Sequence, residues 1–402
     1  MNQKVTIYGA GFSGLTSAYY FLKSGYAIEV VESLERAGGL IETTKTQWGL
    51  AESAANGLIV SDKVLEVFKD IGLEFLKPSA HSKKRYIFRD GPGRWPMGLF
   101  ETAKLAFHFL KCKNRKPHLG ESIHVWGNRV LGAMPTKYLL EPALQGIYAG
   151  DPQRLSASLI LSRFFNKKAG KKSGKFVIAP KEGMGALTHS LKNYLEKNGV
   201  KFRFQENCTE VVKNDHLQIL CVPAYVARQM LSGHGSGISG VLSEIEYVPL
   251  VSATLFYPKY TTPLEGFGCL FPRDQKIRAL GVLFNDQIFE RESDFHSETW
   301  IMGGVGDPQV ISYSDNEVID AIDKDRAQLS FGKVKSSGYK MTRWPLAIPH
   351  YTLDLEKILN SNFQKNINDD GIYLFGNYLG SLGLSQIIEA ASNFTLLVQN
   401  GK

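Results

Sequence analysis

Three glycines near the start of the chain have the spacing of a phosphate-binding turn. Gly9, Gly11 and Gly14 form a Gly-x-Gly-x-x-Gly pattern between a β-like run, residues 4–8, and a run with helical spacing of its apolar residues. In such a turn the first glycine permits the sharp bend, the second lets the backbone approach a diphosphate, and the third lets helix and strand pack closely. The start of the helix offers free N–H groups to the phosphates, so the pattern predicts a site for a dinucleotide.

An acidic residue follows where the ribose of such a nucleotide would lie. Glu32 ends the second β-like run, residues 27–31, and its carboxylate can accept hydrogen bonds from ribose hydroxyls. Strand, turn, helix and strand follow one another within about 30 residues, which is typical of a Rossmann unit. The unit alone does not distinguish NAD from FAD.

Two further segments favour FAD. Arg36-Ala37-Gly38-Gly39 comes just after Glu32 and resembles the second fingerprint of amine-oxidase-like flavoproteins, in which paired glycines pass against the flavin's phosphates. Residues 371–388 (GIYLFGNYLGSLGLSQII) have the pattern of a strand ending at Gly376, a glycine-containing turn and a helix. In amine-oxidase-like flavoproteins a C-terminal segment of this pattern completes the FAD site, whereas an NAD dehydrogenase has no need of it.

The remaining elements are predicted from hydrophobic periodicity. We expect helices at 61–75, over most of 98–165, at 185–198 and from 316; a strand at 84–90; a Lys/Gly-rich linker at 166–177; and a mainly antiparallel sheet at 246–316. Residues 95–113 combine an apolar face with a basic end. That pattern suits a helix lying on a membrane and equally a helix buried in a helical subdomain.

Composition excludes several other classes of protein. The chain has 402 residues, 43% of them hydrophobic and 21% charged, as in ordinary globular enzymes. It contains neither a run long enough for a transmembrane helix nor a secretory signal pattern, so a cytoplasmic location is expected. The four cysteines lack Cys-x-x-Cys spacing, and neither a disulfide framework nor a metal site is expected.

The formal net charge of +8 is concentrated in clusters at residues 111–116 and 167–172. These clusters are consistent with solvated loops, with attraction to an anionic membrane surface or with an acidic substrate. Nucleic acid is not expected as a partner, because no nucleic-acid-binding motif accompanies the charge.

Over almost its whole length the chain resembles the oxygen-dependent protoporphyrinogen oxidases, which are amine-oxidase-like flavoproteins. The most specific match is LLEPALQGIYAGDPQRLSASL at 139–159. Further matches are VESLERAGG at 31–39, KRYIFRDG at 84–91, LEGFGCLFP at 264–272, LGVLF at 280–284 and IPHYTL at 348–353.

The resemblance implies a set of ligand contacts. FAD would be bound by Gly9, Ala10, Gly11, Phe12, Ser13, Gly14, Glu32, Ser33, Gly39, Leu40, Ala51, Glu52, Ser53, Ala54, Cys208 (through its backbone), Asn377, Leu382, Gly383 and Leu384. Arg85 would face a propionate of a tetrapyrrole, and Leu270, Leu283 and Ile301 would line its pocket. Where the family often has Gly-Pro or Gly-Ala, this chain has Ala51-Glu52, so Glu52 either alters the flavin's electronics or turns away.

The implied activity is the oxidation of protoporphyrinogen IX to protoporphyrin IX, with dioxygen as acceptor and hydrogen peroxide as product. The flavin carries this chemistry, so no catalytic side chain is expected. Three alternatives stay open: a coproporphyrinogen III oxidase of the same family, another member such as an amine oxidase or carotenoid desaturase, and a non-catalytic flavin- or tetrapyrrole-binding protein. The resemblance also implies peripheral membrane contact and a homodimer.

The expected fold is α/β, with a Rossmann-type FAD-binding domain, an inserted mixed-sheet substrate domain and a mainly helical, membrane-facing subdomain. Because flavin motifs occur near both ends, the FAD-binding domain is expected to be discontinuous. The predicted ranges are 1–75, 185–245 and 365–402 for the FAD-binding domain, 76–94 and 246–364 for the substrate domain, and 95–184 for the helical subdomain.

Overall fold

A computed structural model describes residues 3–165, 176–235, 237–261, 264–329 and 334–400. Its first sheet has five parallel strands drawn from three distant parts of the chain. In spatial order they are β10 (Lys201–Arg203), β2 (Ala27–Val31), β1 (Lys4–Tyr8), β11 (Leu217–Leu220) and β17 (Ile372–Leu374). The strands predicted at both ends of the chain therefore lie in one sheet.

Helices cover one face of this sheet because alternate strand residues point toward them. Val5 and Ile7 of β1 are fully buried, in a core shared with the helices. Those helices are α1 (Phe12–Lys23), α8 (Met184–Lys197) and α15 (Leu384–Gln399), with α2 (Asp62–Asp70) packed beside α15. Part of the opposite face packs against α9 (Ala224–Met230) and α10 (Ile238–Ser243).

The second sheet has seven strands and is mixed. In spatial order they are β16 (Gly338–Pro349), β12 (Tyr247–Pro258), β15 (Phe295–Gly303), β14 (Gly281–Phe284), β13 (Gly268–Leu270), β7 (Arg85–Phe88) and β8 (Pro92–Gly93). Only the pairing of β13 with β7 is parallel among these described strands. The edge strand β16 was not predicted from the sequence.

Two small sheets connect the large ones. A hairpin is formed by β3 (Thr43–Thr46) and β4 (Gly49–Glu52). Central strand β9 (Val177–Pro180) pairs with β5 (Leu58–Ile59) and β6 (Phe75–Leu76). Residues 177–180, predicted within the helical subdomain, are therefore paired with strands from the first 76 residues.

The predicted helical stretch between 98 and 165 contains five helices. They are α3 (Leu99–Lys111), α4 (Ile123–Val130), α5 (Ala133–Pro135), α6 (Glu141–Tyr148) and α7 (Ala157–Phe165), with a π-helical turn at Thr136–Leu140. The other helices are α11 (Asn285–Ile288), α12 (Asp315–Gln328), α13 (Leu353–Asn360) and α14 (Lys365–Asp369). Residues 166–175 of the predicted linker, with the basic cluster at 167–172, lie outside the described residues. None of the described helices has the length and apolarity needed to cross a membrane.

Candidate flavin site and substrate wall

The glycine turn between β1 and α1 has the geometry that a diphosphate site requires. Gly9 has a φ of +98°, and Gly14 lies so close to the turn that an added Cβ would come within 1.8 Å of the Gly9 carbonyl oxygen. At Gly11, by contrast, an added Cβ would meet only the Cα of Gly39, at 3.9 Å. Gly9 and Gly14 are therefore required by the fold, whereas Gly11 leaves open space in front of the helix start.

The second pair of glycines lies against this turn. Gly38 forms a β-bridge with Gly11, and its N–H donates to the Ala10 carbonyl at 2.9 Å. Gly39 has a φ of +59°, and an added Cβ there would lie 3.1 Å from the Cα of Gly11. The backbone surface between the two glycine segments carries no side chain, which suits the close approach of a pyrophosphate. Phe12 and Ser13 begin α1 beside it.

Glu32 is buried, and its carboxylate is held by the surrounding backbone. One oxygen accepts the Ala10 N–H at 2.7 Å, and the other accepts the Leu34 N–H at 2.9 Å and the Ser33 hydroxyl at 3.2 Å. A carboxylate has about four acceptor positions, so capacity remains for a ribose hydroxyl. The residues present therefore fit the adenosine half of a dinucleotide.

Cys208, expected near the adenine through its backbone, lies beside the end of β2. It lines a cavity of about 300 Å³ together with Val31, Arg203 and Glu206. Its thiol donates to the carbonyl of Glu210 at 3.1 Å, so the sulfur is engaged locally.

The segment after Gly39 is fixed to the hairpin by a serine. The Ser53 hydroxyl donates to the Leu40 carbonyl at 2.6 Å and accepts the Glu42 N–H at 2.9 Å. The adjoining Ala51 is buried, and the Ala54 carbonyl accepts a hydrogen bond from the side chain of Asn56 at 3.3 Å. These contacts place the expected flavin residues 51–54 beside Leu40.

Glu52 turns toward a helix start. Its carboxylate accepts the Met184 N–H, the first of α8, at 2.9 Å, and the Thr43 hydroxyl at 2.6 Å. Burial raises the pKa of Glu52, while these two hydrogen bonds oppose the shift. The carboxylate is therefore bound to the free N–H group at the start of α8, and the expectation that Glu52 either alters the flavin's electronics or turns away stays a prediction.

The C-terminal turn brings the third predicted segment to the same region. After β17, residues 377–379 form a 3₁₀ turn, Gly380 has a φ of +96°, and Leu382 leads into the helix. Gly383 is the N-cap of α15 and Leu384 its first residue, with no side chain capping the helix start. The free N–H groups of that start are therefore available to a polar ligand atom.

The four predicted pocket residues lie on one face of the seven-stranded sheet. Paired residues point to the same side. Leu270 pairs with Gly281, which pairs with Ile301; Arg85 pairs with Gly268, which pairs with Leu283. We call Arg85, Leu270, Leu283 and Ile301 the substrate wall. Ser252, the partner of Ile301, donates its hydroxyl to the Glu52 carbonyl at 3.5 Å. This face of the sheet therefore contacts the expected flavin residues 51–54, which we call the flavin segment.

Polarity is distributed unevenly over the substrate wall. Leu270, Leu283 and Ile301 are half-buried, whereas Arg85 is exposed and its guanidinium lies 4.4 Å from the centre of the Phe267 ring. The wall is thus apolar in its middle, with a cation at its edge.

Several contacts in this region were not predicted. The indole N–H of Trp344 donates to the Ser53 carbonyl at 2.8 Å, and the Asn285 amide donates to Asn56 at 2.7 Å. Gly146 of α6 packs against Leu270, where an added Cβ would lie 2.7 Å from a Leu270 methyl carbon. Trp344 lies in the unpredicted strand β16, and Asn285 lies outside the matched segments. Gly146 lies within the matched segment 139–159, which did not indicate its contact with Leu270.

Comparison with known proteins gives relatives over nearly the whole chain. A chloroplastic protoporphyrinogen oxidase from Nicotiana tabacum is 24% identical, over 96% of this chain and 83% of that protein. A coproporphyrinogen III oxidase from Bacillus subtilis is 21% identical, over 96% and 95%. A crystal structure from Exiguobacterium sp. 255-15, provisionally assigned as a protoporphyrinogen oxidase, superposes over the whole of both chains with a TM-score of 0.82 at 18% identity.

The family model for flavin-containing amine oxidoreductases matches residues 12–391, from the start of α1 to the middle of α15. The comparisons and the geometry of the two glycine segments both indicate FAD as the cofactor. The chain belongs to the flavin-containing amine oxidoreductase family.

Proposed function

We propose that the chain oxidises protoporphyrinogen IX to protoporphyrin IX, passing electrons to dioxygen and forming hydrogen peroxide. The observation that carries this proposal is the substrate wall, which lies on the sheet face that meets the flavin segment. A porphyrinogen is a large apolar ring with carboxylate side chains, and a wall of aliphatic residues with an arginine at its edge matches both properties. The tobacco relative adds support.

Each part of the wall has a defined task. Leu270, Leu283 and Ile301 exclude water and hold the flat ring against the sheet, while Arg85 binds a propionate and sets the ring's orientation. FAD, when bound, supplies the acceptor for the hydride that leaves a bridging carbon of the substrate. The protein thus contributes position and electrostatics.

The purified, FAD-loaded protein should be mixed in air with protoporphyrinogen IX and, separately, with coproporphyrinogen III. We expect porphyrin fluorescence and peroxide to rise above the no-enzyme rate with the first substrate. Preference for the second would replace the proposal with coproporphyrinogen oxidation, which the Bacillus subtilis relative supports. No turnover of either, with FAD bound, would refute both and favour a binding protein.

We further propose that α3 rests on a membrane. No residue of this 13-residue helix is buried, and Leu99, Phe100 and Leu110 are 94%, 72% and 76% exposed. Lys104 and Lys111 lie over the rings of Phe100 and Phe107, so cations border the apolar surface. An apolar helix surface bordered by basic residues is typical of helices that lie at the interface of anionic bilayers.

Flotation with vesicles tests this membrane contact. We expect the protein to float with vesicles of mixed phosphatidylcholine and phosphatidylglycerol, and the double variant Phe100→Ser/Leu110→Ser to remain in solution with FAD bound. Leu397→Ser, on an exposed position of α15, is the matched control. Equal flotation of all three proteins would contradict a role for α3.

Domain boundaries follow from the sheets. We propose an FAD-binding domain around the five-stranded sheet, a substrate domain around the seven-stranded sheet and a helical subdomain from α3 to α7, in a cytoplasmic protein that associates peripherally with membranes. Since β9 pairs with β5 and β6, we place residues 177–184 with the FAD-binding domain. This moves the end of the helical subdomain before residue 177.

A further inference from the structure

Two matched sequence segments, residues 146–152 and 348–353, are packed on each other, and the proposed function gives neither a role. Leu155, just after the first segment, forms a β-bridge with Thr352. The Ser156 N–H donates to the Tyr351 carbonyl at 2.8 Å. These backbone contacts fix the second segment beside the C-terminal end of α6.

His350 lies where the two segments meet, which we call the junction. Its ring lies on Gly150, where an added Cβ would be 2.8 Å from two ring atoms. The Asp151 N–H donates to its Nε2 at 3.3 Å, and its Nδ1 lies 3.3 Å from the Glu246 carboxylate. A ring that accepts at one nitrogen and donates at the other is the neutral imidazole.

Tyr351 extends the junction to the flavin site. It is 1% exposed, and its ring lies 5.2 Å from that of Tyr148, the last residue of α6, at an interplanar angle of 59°. Its hydroxyl donates to the Asn377 carbonyl, in the turn between β17 and α15. Two residues before Tyr148, on the opposite side of the last turn of α6, Gly146 lies against Leu270 of the substrate wall.

From these contacts we infer that Tyr351 is a positioning residue, through which α6 and the substrate wall hold the flavin turn (residues 377–383) in place. A short series of contacts runs from Leu270 through Gly146 and Tyr148 to Tyr351 and then to Asn377. A displacement of α6 against Leu270 therefore reaches the flavin turn through the Tyr351 hydroxyl. The inference rests on the proposed function only in that the wall is named after its proposed substrate. Its test measures the affinity for FAD and uses no porphyrin.

Tyr351→Phe removes this hydrogen bond and keeps the ring. We expect the Kd for FAD, measured by titrating the apoprotein and following quenching of flavin fluorescence, to rise about 2- to 10-fold, the range for one neutral hydrogen bond. The visible flavin spectrum should shift as well. Tyr257→Phe is the matched control: Tyr257 is fully buried in the substrate domain and, among the described residues, its hydroxyl has no hydrogen-bond partner.

A double-mutant cycle separates positioning from local stabilisation. Gly146→Ala places a methyl group against Leu270, on the side of α6 opposite Tyr148, and leaves the Tyr351 hydroxyl in place. If α6 acts through Tyr351, Gly146→Ala weakens FAD binding in the parent protein and has little further effect in Tyr351→Phe.

Two results would overturn the inference. One is a Kd and flavin spectrum for Tyr351→Phe that match those of Tyr257→Phe. The other is full additivity of Tyr351→Phe and Gly146→Ala, or no effect of Gly146→Ala on FAD affinity. A protein that fails to oxidise porphyrinogens but shows the expected cycle refutes the proposed function and leaves the inference standing.

Discussion

Glycines of the same motif differ in what a side chain would meet, and this difference gives a sharp test of the flavin turn. Gly11→Ala adds a methyl group with only one neighbour, 3.9 Å away, so we expect the chain to fold normally. The methyl group would occupy the space in front of α1, so FAD binding should weaken at least ten-fold, measured by flavin content and titration.

The contrasting change is Gly14→Ala, whose Cβ would lie 1.8 Å from a backbone oxygen. We expect this variant to lose folded protein, seen as a fall in soluble yield and melting temperature. If Gly11→Ala keeps full FAD affinity, the diphosphate does not lie on this turn.

Arg85 tests the edge of the substrate wall. Its side chain is exposed, so Arg85→Ala should leave folding and FAD content unchanged. Loss of a charge-assisted contact of about 1.4 kcal/mol should raise KM for the porphyrinogen about ten-fold, with a smaller change in kcat. Steady-state kinetics with Lys83→Ala as a nearby control would decide. An unchanged KM would remove Arg85 from the site.

At the residue scale, the sequence predicted the place of the glycine turn better than it predicted the directions of side chains. The motif around Gly9 is local, so its geometry could be predicted from three residues and the flanking strand and helix. The direction of Glu52 could not, because it depends on Met184, which is distant in sequence and supplies the free N–H that the carboxylate binds.

Strand β15 carries a buried ionic cluster that gives a pH-dependent prediction at the scale of an element. Burial alone would lower the pKa of His296, but its hydrogen bond to Asp286 and the Glu298 carboxylate 3.3 Å from its Nε2 outweigh burial and raise the pKa to about 9. Arg326 of α12 also pairs with Glu298 at 3.0 Å. His296 is therefore protonated at neutral pH and ties β15 to α11 through Asp286.

A histidine whose pKa is raised by folding stabilises the folded state fully below its unfolded pKa of about 6.5. This stabilisation is lost as the pH rises through about 9. We expect the free energy of unfolding in urea to fall by about 1–3 kcal/mol between these limits, and by less in His296→Gln. Equal pH dependence of the two proteins would contradict the assignment.

Elements with strong local periodicity were predicted well, and those defined by pairing were missed. Strand β2 and helix α8 lie within one residue of their predicted bounds, and α12 begins one residue before its predicted start. Strand β16 was missed because it lies at a sheet edge and contains Pro345 and Pro349, which interrupt the usual strand pattern. For α3 the sequence left a buried and a membrane-facing helix open, and the structure exposes it.

At the scale of the whole molecule, the proposed flavin site draws on the beginning, middle and end of the chain. Ligand binding to such a site stabilises every segment that contributes to it. At 100 times its Kd, free FAD should add about 2.7 kcal/mol, which corresponds to a rise in Tm of about 3 °C for a chain of this size. Differential scanning fluorimetry of the apoprotein measures this rise. At the same FAD concentration, Gly11→Ala, whose affinity should be at least ten-fold weaker, should gain at most about 1.4 kcal/mol and so show at most about half of this rise. A wild-type protein without any rise would contradict the proposed site.

The order of the motifs along the chain predicted that one large sheet serves FAD binding and the other substrate binding, because flavin motifs occur near both ends of the chain. The side-chain contacts between the two sheets could not be predicted. Trp344 meets Ser53, and Tyr351 meets Asn377, through packing between segments that share no local pattern. Such contacts depend on the register of several strands at once.

The position of strand β17 near the end of the chain bears on when this protein can bind its cofactor. Translation at about 5–20 residues per second separates the synthesis of β1 from that of β17 by roughly 20–70 s. During that interval the nascent chain has its first glycine turn but neither the last parallel strand nor the start of α15. We therefore expect flavin binding to be completed only after translation, and a polypeptide interrupted before Ile372 would lack the C-terminal part of the proposed site.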